Sequence, residues 1–90
     1  MPSHKSAAKE HRQELARRDR NRGHRSRVRT AVKQLQAAID AGDAEQARGL
    51  LNGTLSLLDR TAKLGAIHTS AADRKKSRLT VAVNRIGAAQ

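Results

Sequence analysis

Beyond Pro2 the chain contains no proline, so glycine is its only strong helix breaker. Two of the six glycines sit between a stop signal and a start signal. In "DAGDAEQA", residues 40–47, Gly42 suits the position just past a helix end, where a left-handed backbone costs glycine little. Asp43 then fits an N-cap, with Gln46 completing a capping box and Glu45 complementing the first-turn dipole. In "KLGAIHTSAAD", residues 63–73, Gly65 plays the same stopping role. Ser70 with Asp73 offers a second box there, although Ile67 or His68 also suits a helix start. This punctuation predicts three helices, at about 6–41, 44–64 and 68–87.

Apolar spacing agrees with that division. Val28, Val32, Leu35 and Ile39 step by 4, 3 and 4, which is one helix face. Ala47, Leu51, Thr54 and Leu58 do the same in the second segment, and Leu50, Leu55 and Leu57 widen the stripe. In the third, Ala72, Leu79, Ala82, Val83 and Ile86 share a side. Short connections make neighbours antiparallel, so the expected fold is all-α: an antiparallel three-helix bundle forming one domain over residues 1–90. The core is thin. Val, Ile and Leu total sixteen residues and Phe, Tyr and Trp are absent, while sixteen alanines favour helix and close packing.

The first helix does not fit inside such a bundle. Its partners are each about twenty residues, or roughly 30 Å, and cover about half of it. Its apolar face starts only at Val28, and before that Leu15 is the one large aliphatic after Met1. The basic N-terminal half therefore projects, and residues 1–27 read as an arm that a partner orders.

That arm carries the chemistry. "RRDRNRGHRSRVRT", residues 17–30, holds seven arginines and one aspartate. Residues 1–33 carry eleven Lys and Arg against three acids, residues 34–66 three against four, and residues 67–90 five against one. A net charge of +11 and a pI near 11.7 point to a polyanionic partner. At 100° per residue Arg18, Arg22, Arg25, Arg29 and Lys33 fall within about 80° of arc. Arg20 and Arg27 lie roughly opposite, and Arg17 continues the direction of the apolar stripe. A rod charged on several sides suits insertion between phosphate backbones, each guanidinium engaging phosphate oxygens bidentately. Asn21, Ser26 and Thr30 add short hydrogen-bonding groups, and Lys9 and Arg12 extend the basic surface toward the N-terminus. Arg74, Arg78 and Arg85 make a further stripe on the last helix, with Lys75 and Lys76 nearby. Gly23 either admits a close backbone approach, marks a bend, or is merely tolerated.

Composition removes several other functions. Without aromatic residues the chain cannot stack on single-stranded bases, so contacts should go to phosphate and sugar and recognise shape. Without cysteine there are no disulfides or thiolate metal sites. His4, His11, His24 and His68 are scattered, with no pair at metal spacing. His24 joins the basic surface, and His68 either caps the last helix or touches the partner. Gly42, Gly49 and Gly53 form no phosphate-cradling loop. No enzymatic activity, metal, cofactor or small-molecule substrate is expected. No apolar stretch approaches the roughly 20 residues of a membrane span, and "MPSHKSAAKEH" lacks a secretory apolar core. A membrane-surface helix would need large apolar residues opposite the basic face, and residues 9–27 offer only Leu15 and Ala16. A DNA-compacting protein would commonly carry a Phe or Pro wedge, which is missing. Charge alone leaves structured RNA and DNA both open, and a regulator that folds on an acidic protein partner also remains.

Four blocks narrow this further: "HKSAAK" at 4–9, "NRGHRSRVRT" at 21–30, "AAIDAGDAEQA" at 37–47 and "GAIHTSAADRKKSRLT" at 65–80. In order and spacing they resemble the family of bacterial small-subunit ribosomal protein number twenty, over nearly the whole chain. The resemblance implies a three-helix bundle with an extended first helix, binding small-subunit ribosomal RNA directly and early in assembly. It implies a place in the cytoplasm, in the ribosome, with no membrane partner. It places RNA contacts at Lys5, Ser6, Asn21, Arg25, Ser26, Arg29, Thr30, Lys33, Lys76, Ser77 and Arg78. With Lys9, Arg12, Arg17, Arg18, Arg20, Arg22, Arg27, His68, Arg74 and Lys75, these make up the expected RNA-binding set. No homo-oligomer is expected. The chain departs from the family at Thr69, Ser70 and Ala71, where Lys, Asn and Lys are usual, and at Asp73, where a small residue is usual.

Overall fold

The computed structural model describes residues 4–89, with side chains described for residues 7–88. Three helices make up the fold: α1 (His4–Asp40), α2 (Ala44–Lys63) and α3 (Thr69–Ala89). Their bounds lie within two residues of the expected ones, because the stop and start signals are local chemistry. Gly42 adopts φ 70° and Gly65 φ 79°. At the first turn the Gly42 N–H donates to the Ile39 carbonyl and the Asp43 N–H to that of Ala38, both at 3.0 Å. At the second, Gly65 N–H reaches Ala62 O and Ala66 N–H reaches Thr61 O, at 3.0 and 3.1 Å. Both are Schellman closures, which satisfy carbonyls that a helix end would otherwise leave unpaired.

The two helix starts differ. Asp43 caps α2 as expected, its Oδ1 accepting the Gln46 N–H at 3.0 Å. At α3 the cap is His68 rather than Ser70. The His68 carbonyl accepts the Ala72 N–H at 3.0 Å, and its Nδ1 accepts the Ser70 N–H at 3.2 Å. Ser70 thus already lies inside the helix, and the Ser70–Asp73 box is not what starts it.

The chain runs up, down and up. α2 packs on both other helices, whereas α1 and α3 meet only slightly. Leu35, Leu58 and Val83, one from each helix, are almost fully buried at 0%, 0% and 1% exposure. Val28, Ala38, Ala47 and Leu79 complete the core, with Val32, Ile39, Leu50, Leu51, Leu57, Ile67 and Ile86 packed around it. Burial of these apolar faces, at about 25 cal/mol per Å2, is the main force holding the helices together. Thr54 and Thr61 are buried in the α2 seam, and each hydroxyl donates to a carbonyl one turn back, Leu50 O at 2.9 Å and Leu57 O at 2.7 Å. Their small, satisfied side chains let the flanking helices approach closely without the penalty of an unpaired polar group.

α1 outruns its partners. Every described side chain from residue 7 to residue 20 is exposed, and burial begins at Asn21 and His24. Partial burial therefore begins about two turns earlier than Val28, where Arg17, Arg20, Asn21 and His24 of α1 and Leu64, just past α2, line one surface hollow. The molecule measures 66 × 19 × 15 Å, and its radius of gyration is 17.8 Å. A compact domain of this length has a radius of about 12 Å. The helix passes through Gly23 without interruption.

Candidate nucleic-acid interface

The projecting rod carries Lys9, Arg12, Arg17, Arg18 and Arg20 on exposed positions. The side chains of Lys5 and Ser6 lie outside the described residues. Glu14 answers Arg18 at 2.9 Å, but the two side chains are 72% and 56% exposed for Arg18 and Glu14. A pair this open contributes little and yields readily to a phosphate. Arg22, Arg25, Arg29 and Lys33 are all exposed and continue the Arg18 line along the docked half. From Arg18 to Lys33 the stripe is about 22 Å long at 1.5 Å per residue.

A second face of α1 gathers Ser26, Arg27 and Thr30 with Ala31 and Gln34. Arg27 Nη1 lies 3.5 Å from His24 Nδ1, which brings His24 to the edge of this basic surface. Asn21 is half-buried and lines a surface hollow with Arg17, Arg20, His24 and Leu64.

The main stripe ends in a groove between α1 and α3. Arg29, Val32, Lys33, Gln36, Ala37 and Asp40 line one wall and Lys75 the other. Gln36 was absent from the sequence-derived set, although it lies on the same arc as Arg18; the charge pattern passed over it because it is neutral. Its Nε2 donates to Asp40 Oδ1 at 2.9 Å.

On α3, Arg74, Lys75, Ser77 and Arg78 are exposed, and helical geometry places Arg74, Arg78 and Arg85 within about 40° of one another. Lys76 is separated from them. Its Nζ donates to Asp59 Oδ1 of α2 at 2.7 Å. The hydrogen bond to Asp59 raises the Lys76 pKa above its ordinary value, against a lowering by desolvation. The charges of Asp59 and Asp73 add to the rise. Lys63 stands one turn along from Asp59 on α2, yet Asp59 reaches across to α3 instead. His68 is held at the α3 cap, where Nδ1 accepts the Ser70 N–H and lies 2.7 Å from Ser70 Oγ. With Nδ1 an acceptor, the neutral ring carries its proton on Nε2.

Among the described residues no three His, Asp or Glu side chains converge to hold a metal ion, and no helix is long and apolar enough to cross a membrane. A basic helical rod leading into a cation-rimmed groove defines a class: a small all-α protein that presents guanidinium and ammonium groups from two helices. The comparisons with known proteins give the family. The model of the family described as Ribosomal protein S20 matches residues 2–84. The small ribosomal subunit protein bS20 of Desulfovibrio desulfuricans is 48% identical over 88 residues, covering 98% of this chain and 99% of that protein. The bS20 proteins of Desulforapulum autotrophicum and Nitrosomonas eutropha are 50% and 42% identical, over 89% and 97% of this chain and 95% and 100% of their own lengths. The chain belongs to the ribosomal protein S20 family.

Proposed function

We propose that the protein is a structural constituent of the small ribosomal subunit that binds small-subunit ribosomal RNA directly and stabilises its fold early in assembly. The observation that carries this is the rod: every residue from 7 to 20 of α1 is exposed, yet the stretch is continuous with a docked, core-forming helix. Among the described residues, nothing in α2 or α3 buries this basic stretch. Ribosomal RNA supplies the missing counter-charge, and counterion release from its phosphates supplies the affinity. With no aromatic side chain for stacking, contacts go to phosphate and sugar, and recognition follows the shape of the RNA. Family membership among small-subunit proteins points the same way.

The RNA also supplies order. Residues 7–20 bury nothing, and their repelling guanidinium groups weaken an isolated helix, so the arm is the segment that gains most from binding. Amide hydrogen exchange should show low protection in the arm of the free protein and a large gain on the RNA, with α2 protected in both states.

The deciding experiment is equilibrium binding to protein-free bacterial small-subunit ribosomal RNA, with equal mass of duplex DNA as competitor, across a salt series around ~0.15 M. Tight binding that survives the DNA and weakens steeply with salt is the expected result. Equal affinity for both would overturn the reading in favour of a DNA-compacting protein.

A further inference from the structure

Lys75 and Lys76 are adjacent and identical in type, yet the fold gives them opposite surroundings. Lys75 is exposed and lines the groove between α1 and α3, with Arg29 and Lys33 on the facing wall. Lys76, about 100° further round the helix, is half-buried and hydrogen-bonded to Asp59 of α2. We propose that the α1–α3 groove seats the phosphates of one ribosomal RNA strand through Arg29, Lys33 and Lys75, while Asp59 withholds Lys76 from the RNA. This rests on the ribosomal RNA reading above and refines it.

The groove fits a nucleic-acid backbone better than bases or a peptide. Three cations rim it, and Val32 and Ala37 give it an aliphatic floor on which a ribose can pack. The like charges of Arg29, Lys33 and Lys75 repel one another across the groove, and α1 and α3 touch little along their lengths. A phosphate between the walls removes that repulsion. Asp40 closes one end with the wrong sign for phosphate, so the strand crosses at the Arg29–Lys33 end. Gln36 spends an amide N–H on Asp40, which leaves its oxygen to accept a ribose 2′-hydroxyl, a group DNA lacks.

Lys76 has a different task. Its bond to Asp59 crosses from α3 to α2, and Arg48 on α2 lies against Gly87 on α3 in the same antiparallel register. The ion pair therefore links α3 to α2 and occupies the Lys76 ammonium, at a helix rotation that the buried core sets.

The test is the salt dependence of binding by the full chain to protein-free bacterial small-subunit ribosomal RNA, between about 0.05 and 0.2 M salt, for wild type, Lys75→Met, Lys33→Met and Lys76→Met. Each lost phosphate contact flattens the log–log slope by about 0.7–0.9. Lys75→Met and Lys33→Met, on opposite walls, should each show that loss, with a several-fold weaker affinity. Lys76→Met should keep the wild-type slope. Circular dichroism confirms that the variants compared are folded, and because Lys33 and Lys75 are both exposed, either one alone can report on the groove. If both keep the full slope while wild type binds, the groove is not the seat. If Lys76→Met loses slope as Lys75→Met does, the division between the lysines is wrong. If the Lys75 and Lys33 variants lose as much slope on duplex DNA, the groove is a general polyanion site and not an RNA seat. A wild-type protein that fails to bind the RNA overturns the ribosomal reading itself, which is a separate result from the first three.

Discussion

Gly23→Ala separates two explanations for a glycine in the middle of the basic rod. A Cβ built at Gly23 meets nothing within 4 Å, and the residue has ordinary helical backbone inside an unbroken α1. The substitution therefore costs no packing and removes the entropic penalty of glycine in a helix, about 1 kcal/mol. Gly23 stands at the junction between the rod and the docked half, where Asn21 and His24 first become half-buried. Stiffening that junction should raise the helicity of the free protein by circular dichroism. If the RNA must straighten the junction when it binds, that 1 kcal/mol is returned as affinity, about fivefold, with no change in salt slope. Melting curves and titration against ribosomal RNA at one salt concentration measure both. Two results would refute the reasoning. Unchanged helicity would mean that glycine is not what limits the rod. Raised helicity with weaker binding would mean that an RNA backbone approaches Gly23 so closely that a methyl group blocks it.

Other perturbations follow from the core, the turns and the ion pair. Leu35→Ala empties a fully buried position and should cost about 2–5 kcal/mol in urea unfolding. That is a large share of the total for a small, alanine-rich bundle, while the salt slope of RNA binding should stay unchanged. Gly42→Ala forces φ near 70° onto a residue with a Cβ and should destabilise by about 1–2 kcal/mol; a neutral result by thermal melting would contradict the Schellman closure. Asp43→Ala removes the α2 cap and should cost about 1 kcal/mol, with Asp43→Asn recovering most of it. Because pairing with Asp59 raises the Lys76 pKa, its contribution to stability is complete below the ordinary lysine value of 10.5 and is lost as pH rises through the raised value. Wild type and Asp59→Asn should therefore differ in thermal midpoint near neutral pH and converge in strongly alkaline buffer; a difference that persists there would show that Asp59 acts by some route other than Lys76.

The local features of this protein are written in short stretches of its sequence. Gly42, Asp43 and Gly65 set the helix ends, because a left-handed glycine and a capping carboxylate act within one turn of chain. The stepping of Val28, Val32, Leu35 and Ile39 gave the docked face of α1, and the arginine spacing gave the main basic stripe, because helical periodicity alone fixes which residues share a side. His68 shows where local reading becomes ambiguous: Ser70 has the better capping chemistry, but the backbone leaving Gly65 delivers the His68 ring to the helix start first. Beyond one helix the sequence decides less. That partial burial of α1 reaches back to Asn21, that Asp59 takes Lys76 of α3 over Lys63 one turn away, and that Lys75 joins Arg29 and Lys33 across a groove all depend on the rotation and register of packed helices. Those are set by how Leu35, Leu58, Val83 and the small Thr54 and Thr61 fit together in the core, and only the tertiary structure fixes that fit, because packing geometry has no period along the chain.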